Sequence, residues 1–208
     1  MTLKGKRTKR QQRRDSLVAS ANEIFLKLFG DGQDAHVALY RAWALRVAAQ
    51  ARGMRMIILA GSAYWRVAES GERTVFGYQW EGMEAARASL LESKMPVMHV
   101  WGYLLHKDEV VDICTRFQPE QAERAGVSWE LPHPPDYIWE RADKILGKHG
   151  AAYVPDEGAT KLANLLLEKE AKRLLGERGE TDGPTRAVPE VRTGSGVERN
   201  GHDGALPD

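Results

Sequence analysis

The sequence predicts an α+β domain, with N-terminal helices packed on an antiparallel sheet and a helix near the C-terminal end. Three observations predict it. Apolar residues recur at helical spacing from about residue 15 to 52. Short apolar runs and period-two alternation replace that spacing between residues 54 and 114. Helical spacing returns from about Glu157 to Leu175. The 208 residues, 42% hydrophobic and 28% charged, suit one domain with a core and loose ends.

Asp15 or Ser16 can cap the first helix, whose inner face carries Leu17, Ala21, Ile24, Phe25 and Leu28; Gly30, Asp31 and Gly32 end it. A second helix starts near Asp34, with Val37, Tyr40, Ala44, Val47 and Ala48 at helical spacing, and closes at Gly53. Met54 to Ala60 reads as a buried strand, interrupted by Gly61 and Ser62 before Ala63–Val67 continues it. A turn at Glu69–Glu72 leads to a second strand ending at Trp80, and residues 83–93 suit a short helix. Pro96 then launches a strand through Leu105. His106, Lys107 and Asp108 turn the chain, and residues 109–115 return as the partner of a hairpin. From Gln118 to Arg141, Trp129, Tyr137, Trp139 and several prolines are expected to cover one side of the sheet. The last helix should turn Leu162, Ala163, Leu165 and Leu166 inward.

Charge marks the ends. Residues 1–14 hold Lys4, Lys6, Arg7, Lys9, Arg10, Arg13 and Arg14 and no acid, whereas the whole chain is formally only +1. The expected organisation is a basic disordered arm (1–14), one domain (15–175) and a disordered tail (176–208). The tail is rich in Gly, Pro and charge and cannot offset its ordering entropy. The arm is either a solvated terminus or a contact for nucleic acid or a protein partner. The near-even charge excludes a uniformly basic nucleic-acid binder. No apolar run reaches the roughly 18–20 residues that span a bilayer, and the basic start does not lead into a signal-peptide core. A cytoplasmic setting without membrane contact is the expectation. The single cysteine, Cys114, excludes an intrachain disulfide and a cysteine-built zinc site. His99, His106, His133 and His149 show no metal-ligand spacing, so no metal is expected. With no glycine-rich nucleotide motif, no cofactor is expected either.

The chemistry is concentrated in the hairpin. His99 lies on its first strand and Asp112 on its second. With the turn centred on residues 106–108, the two are offset by about three residues, roughly 10 Å along a strand. A twist, a bulge or a wider turn would close that gap. A carboxylate beside an imidazole fixes its tautomer and stabilises the imidazolium, and the ring can then activate a nucleophile from elsewhere. The competing reading is a half-buried hairpin histidine with no chemical role.

Three pieces carry a resemblance: a helix followed by residues 53–67, the His-x-Trp strand HVWGYL, and the aspartate strand EVVDICTRFQ. Together they resemble the transglutaminase-like branch of the papain-like cysteine enzymes, over about residues 34–118. The arylamine N-acetyltransferases share the same Cys–His–Asp plan. The resemblance implies a papain-like core, His99 as base, Asp112 as its orienter, Trp101 as a shield, and a cleft lined by Trp101, Trp65 and Gln79. It also implies a peptide or protein substrate or partner. The family's cysteine belongs at the start of the second helix, where the helix N-terminus lowers a thiol pKa. Counting back from Gly53, that position falls within Asp34 to Ala38, with Ala35 the best match, and no cysteine precedes Cys114. The nucleophile position is therefore vacant, and an inactive or nucleophile-substituted acyl-transfer or peptidase homologue is expected. Cys114 follows Asp112 by two residues in a strand interior and is a poor substitute. His36 reads as an exposed first-turn residue. Ser62 lacks the nucleophile-elbow glycines and reads as turn chemistry. The alternative to the enzyme ancestry is a non-catalytic binding module that uses its basic arm.

Overall fold

The computed structural model describes residues 8–30, 37–71 and 74–180. Helix α1 (Lys9–Phe29) begins where the Thr8 hydroxyl accepts the Gln11 N–H, and ends at Gly30, whose N–H closes on the Leu26 carbonyl. It starts six residues before Asp15, so residues 9–14 are helical and not a loose arm. Leu17, Val18, Ala21 and Phe25 are its buried stripe. Helix α2 (Val37–Gln50) is alanine-rich, and its buried Ala42, Ala44, Ala48 and Ala49 let it lie close to its neighbours.

Strand β1 (Ile57–Arg66) runs unbroken through Gly61 and Ser62, where an interruption was expected. The reason is close approach: a Cβ on Gly61 would sit 2.2 Å from the Val154 carbonyl oxygen. Strand β2 (Val75–Tyr78), helix α3 (Met83–Leu91), strand β3 (His99–Leu104) and strand β4 (Glu109–Asp112) follow. A one-turn 3₁₀ segment leads into helix α4 (Gln118–Arg124). Then come β5 (Ile138–Arg141), α5 (Ile145–His149), β6 (Ala151–Pro155) and α6 (Glu157–Glu180). The final helix runs past Leu175 to Glu180; residues 181–208, the rest of the expected tail, lie outside the described residues. Leu162, Ala163 and Leu167 are its buried apolar residues beyond the first turn, whereas Leu165, expected inward, is exposed.

The sheet is antiparallel throughout, in the order β2-β1-β3-β4-β5, with β6 also paired to β1. β1 pairs β3 along Ile57–Gly61 and β2 along Ala63–Arg66. The Val67 N–H bonds Thr74 while the Arg66 N–H bonds Gly150, so β2 and β6 lie on opposite edges of β1. Ala60 spends its N–H and carbonyl on Thr160 and Asp156, on the β6 side. β3 therefore follows β2 along one edge, which sets the end of β2 beside the start of β3. One face of the sheet packs on α1, α2 and α6 through Ile58, Val100, Leu104, Val111 and their neighbours. The other face carries Trp65, Trp101, Val110 and Ile138 against Ala122, Val127 and Ile145. Trp139, expected as part of a cover over the sheet, belongs to β5 and packs with Leu17 and Val18 of α1.

Candidate functional site

His99 opens β3 and Asp112 closes β4. Gly102 pairs with Val111, so Asp112 lies opposite Trp101 and His99 is displaced by two residues, not three. An even displacement keeps both side chains on one face, as a diagonal cross-strand pair within reach of long side chains. The imidazole Nε2 lies 2.8 Å from Asp112 Oδ2, and each residue is 1% exposed.

Asp112 is the hub of this cluster. Its Oδ2 also accepts the Tyr153 hydroxyl at 2.7 Å, and its Oδ1 accepts the Cys114 backbone N–H at 2.7 Å. Nε2 is committed to the carboxylate, so Nδ1 is the ring nitrogen left for further chemistry. Tyr78, from the end of β2, stacks on the imidazole with centroids 5.4 Å apart, and Trp101 stacks on it at 6.1 Å. Trp65 meets the ring edge-on at 5.1 Å. Burial, then the Asp112 charge, pushes the Tyr153 phenol well above its ordinary value, which keeps it a donor. Burial likewise raises Tyr78, with Cys114 and Asp112 adding to the shift.

Cys114 lies beyond the strand end, before the 3₁₀ segment. Burial, then Asp112, pushes its thiol well up, against smaller opposing effects of Arg41 and Arg116. A thiol so held is a weak source of thiolate at neutral pH. Nearby Gln118 is buried, donates Nε2 to the Cys114 carbonyl, and has no partner for Oε1 among the described residues. Arg41, in α2, is also buried, with its guanidinium 4.1 Å from the Phe25 ring and 4.7 Å from the Phe117 ring.

Several expected features fall elsewhere. Trp65 and Trp101 are buried core residues, and Gln79 is exposed just past β2. His99 faces away from the layer on which α2 packs: the alternate positions Val100 and Gly102 meet Leu39, Ala42 and Leu45. Ala35 and His36 lie outside the described residues, as do Lys4, Lys6 and Arg7. Ser62 is structural, its Oγ accepting the Trp80 N–H.

No family model matches the chain, and no curated protein matches it. One solved structure, a crystal structure described as that of a genomics target, is similar over 86% of this chain and 82% of that chain, at 13% identity and a TM-score of 0.47. Among the described residues no helix is long and apolar enough to cross a membrane, and no group of three or more acidic, histidine or cysteine side chains could hold a metal ion.

The basic residues at the start of α1 form a second candidate region. Arg10 and Arg14 converge on the buried Glu109 at 2.6 and 3.0 Å, and Trp139 donates its indole N–H to the same carboxylate. Lys9 and Arg13 remain exposed on the same helix. Tyr153, Tyr78, Glu109, Arg52 and Lys107 were not singled out from the sequence. Tyr153 sits on a five-residue strand bounded by Gly150 and Pro155, too short to show a period. Glu109 was visible only as an acid at the start of an apolar strand, a position where burial demands a cationic partner.

Proposed function

We propose that this domain is a catalytically silent relative of the transglutaminase-like cysteine enzymes, in which the base and its orienter persist and the nucleophile is gone. One observation carries the reading: the 2.8 Å contact between His99 Nε2 and Asp112 Oδ2 across neighbouring antiparallel strands. It supports an inherited triad geometry because a carboxylate on one ring nitrogen fixes the imidazole's tautomer and orientation and leaves Nδ1 for a nucleophile. The unsatisfied Gln118 Oε1 nearby adds polarity that folding alone does not call for. Silence follows from the absence of any cysteine before Cys114 and from the burial of that thiol. A cytoplasmic setting and a peptide or protein partner belong to the same reading.

The test restores the thiol. Ala35→Cys is made in a Cys114→Ser background, and its alkylation by iodoacetamide is followed against pH. The reading expects a thiol titrating below the ordinary cysteine value of about 8.5, as a helix N-terminus together with a paired base would hold it. His99→Gln should return it to the ordinary value. A thiol that titrates normally with or without His99 would defeat the proposal. The unmodified protein should show no thiol-dependent ester hydrolysis above that of a Cys114→Ser control.

A further inference from the structure

A groove of about 930 Å³ runs between the first turns of α1, the end of α2 and the β3–β4 turn. Lys9, Arg10, Arg13, Arg14, Arg52 and Lys107 line it, against one carboxylate, Glu109. Six cations against one anion give the lining a formal +5, in a chain whose total is only +1. The remainder is therefore net −4, and the positive field is concentrated here rather than spread over the surface.

Glu109 is already committed to Arg10 and Arg14. Arg52 bonds only neutral oxygens, those of Ala48, Ser16 and Ser20. Lys9, Arg13 and Lys107 have no acidic partner among the described residues. Four uncompensated cations around one concavity repel one another, and an anion of several linked charges would relieve that repulsion. The lining offers no stacking platform for bases. Trp139 is buried, with the Arg14 guanidinium 5.0 Å from its ring and its N–H on Glu109. Contacts to phosphates alone position a nucleic acid without reading it.

We propose that this groove holds the phosphate backbone of a nucleic acid, by charge and without base preference. The proposal does not rest on the enzyme ancestry and survives its failure.

The experiment measures fluorescence anisotropy of the full chain with two DNA duplexes of unrelated sequence, at salt from about 50 to 200 mM. The duplexes should bind equally well, and log K should fall against log salt with a slope of about −3 to −4, four contacts at about 0.9 each. Lys9→Glu, Arg13→Glu and Lys107→Glu together should weaken binding about tenfold or more and flatten the slope by about 2–3. Lys107→Gln alone should flatten it by about 1. A control triple, Arg87→Glu, Lys144→Glu and Lys169→Glu, changes net charge identically at exposed sites elsewhere and should leave binding within about twofold of the parent. All variants are checked by thermal melting. Displacement of the duplex by inorganic polyphosphate supports the groove as a reader of linked phosphates. The proposal is overturned by absence of duplex binding at low salt, by polyphosphate binding without duplex binding, by a clear preference for one sequence, or by equal weakening in the control triple.

Discussion

At the scale of single residues, the Asp112 carboxylate decides the behaviour of its surroundings. It is 1% exposed and accepts from His99, Tyr153 and the Cys114 N–H, so its removal strands three groups at once. Breaking a buried hydrogen-bonded pair from one side is among the costlier single changes. Asp112→Ala should therefore lose about 3–5 kcal/mol in urea unfolding. Tyr153→Phe removes one donor and leaves the carboxylate served by two others, so about 1 kcal/mol is expected. If the two variants prove equal, Asp112 is not the hub. The same cluster sets an alkaline limit. The Cys114 and Tyr153 groups are raised above their reference values of 9.0 and 10.0, so the folded state holds protons that the unfolded chain releases. Their contribution is fully present below about pH 9 and is lost as pH rises through and above that point, at about 1.4 kcal/mol per pH unit per group. Cys114→Ala should delay the onset of the fall to about pH 10, where tyrosine takes over, whatever it does to absolute stability. Urea titrations at stepped pH between about 8 and 11 would show it, and an unchanged onset would remove Cys114 from the account.

At the scale of elements, the hairpin, the helices and the strand-rich middle were legible because each carries a period. β5 and β6 were not, since four and five residues between prolines and glycines leave no alternation to count. The start of α1 was hidden for a different reason. Lys, Arg and Gln are good helix formers, and a block of like charge reads as solvated until its counter-charge is known. That counter-charge is Glu109, some 95 residues away from Arg14, and no local pattern announces it. The His99–Asp112 contact was half legible: the strands and faces could be read, but the register was set by a turn whose pairing differs by one residue from the symmetric guess. Gly61 misled as well, because a glycine inside an apolar run signals either a break or a close approach. Close approach prevails, and it makes a prediction. In Gly61→Ala the new methyl meets the Val154 carbonyl at 2.2 Å and the Asp156 N–H group at 2.9 Å, both backbone. In Gly102→Ala it meets the ends of Met56 and Leu45, which can move. Gly61→Ala should thus be the more destabilising by about 2 kcal/mol or more, and should loosen β6 from β1. Hydrogen exchange of the β6 amides separates the two variants; equal protection in both would contradict the close-approach account.

At the scale of the whole molecule, the sheet separates two regions that draw on opposite physics. One is the His99–Asp112 cluster, sealed among aromatic rings, where His99, Tyr153 and the Cys114 N–H all bond one buried carboxylate. The other is the groove beneath α1, where charge is left unsatisfied in the open. Glu109 couples that groove to the fold. It is 3% exposed, ties α1 to the first residue of β4 through Arg10 and Arg14, and holds the Trp139 indole. It also supplies the only negative charge in the groove lining. Glu109→Gln keeps the size and one acceptor but removes the charge. Stability should fall by about 1–3 kcal/mol, the worth of charge-assisted hydrogen bonds left with a neutral partner. Duplex binding should move the other way. The lining rises from +5 to +6, and Arg10 and Arg14, released from the carboxylate, become available to phosphates. The salt slope should steepen by about 1–2 and the affinity at low salt should rise. Urea unfolding and anisotropy on one preparation read both effects. A variant that loses stability with no gain in affinity would mean that the arginines serve the fold alone, and that the phosphates, if bound, sit elsewhere.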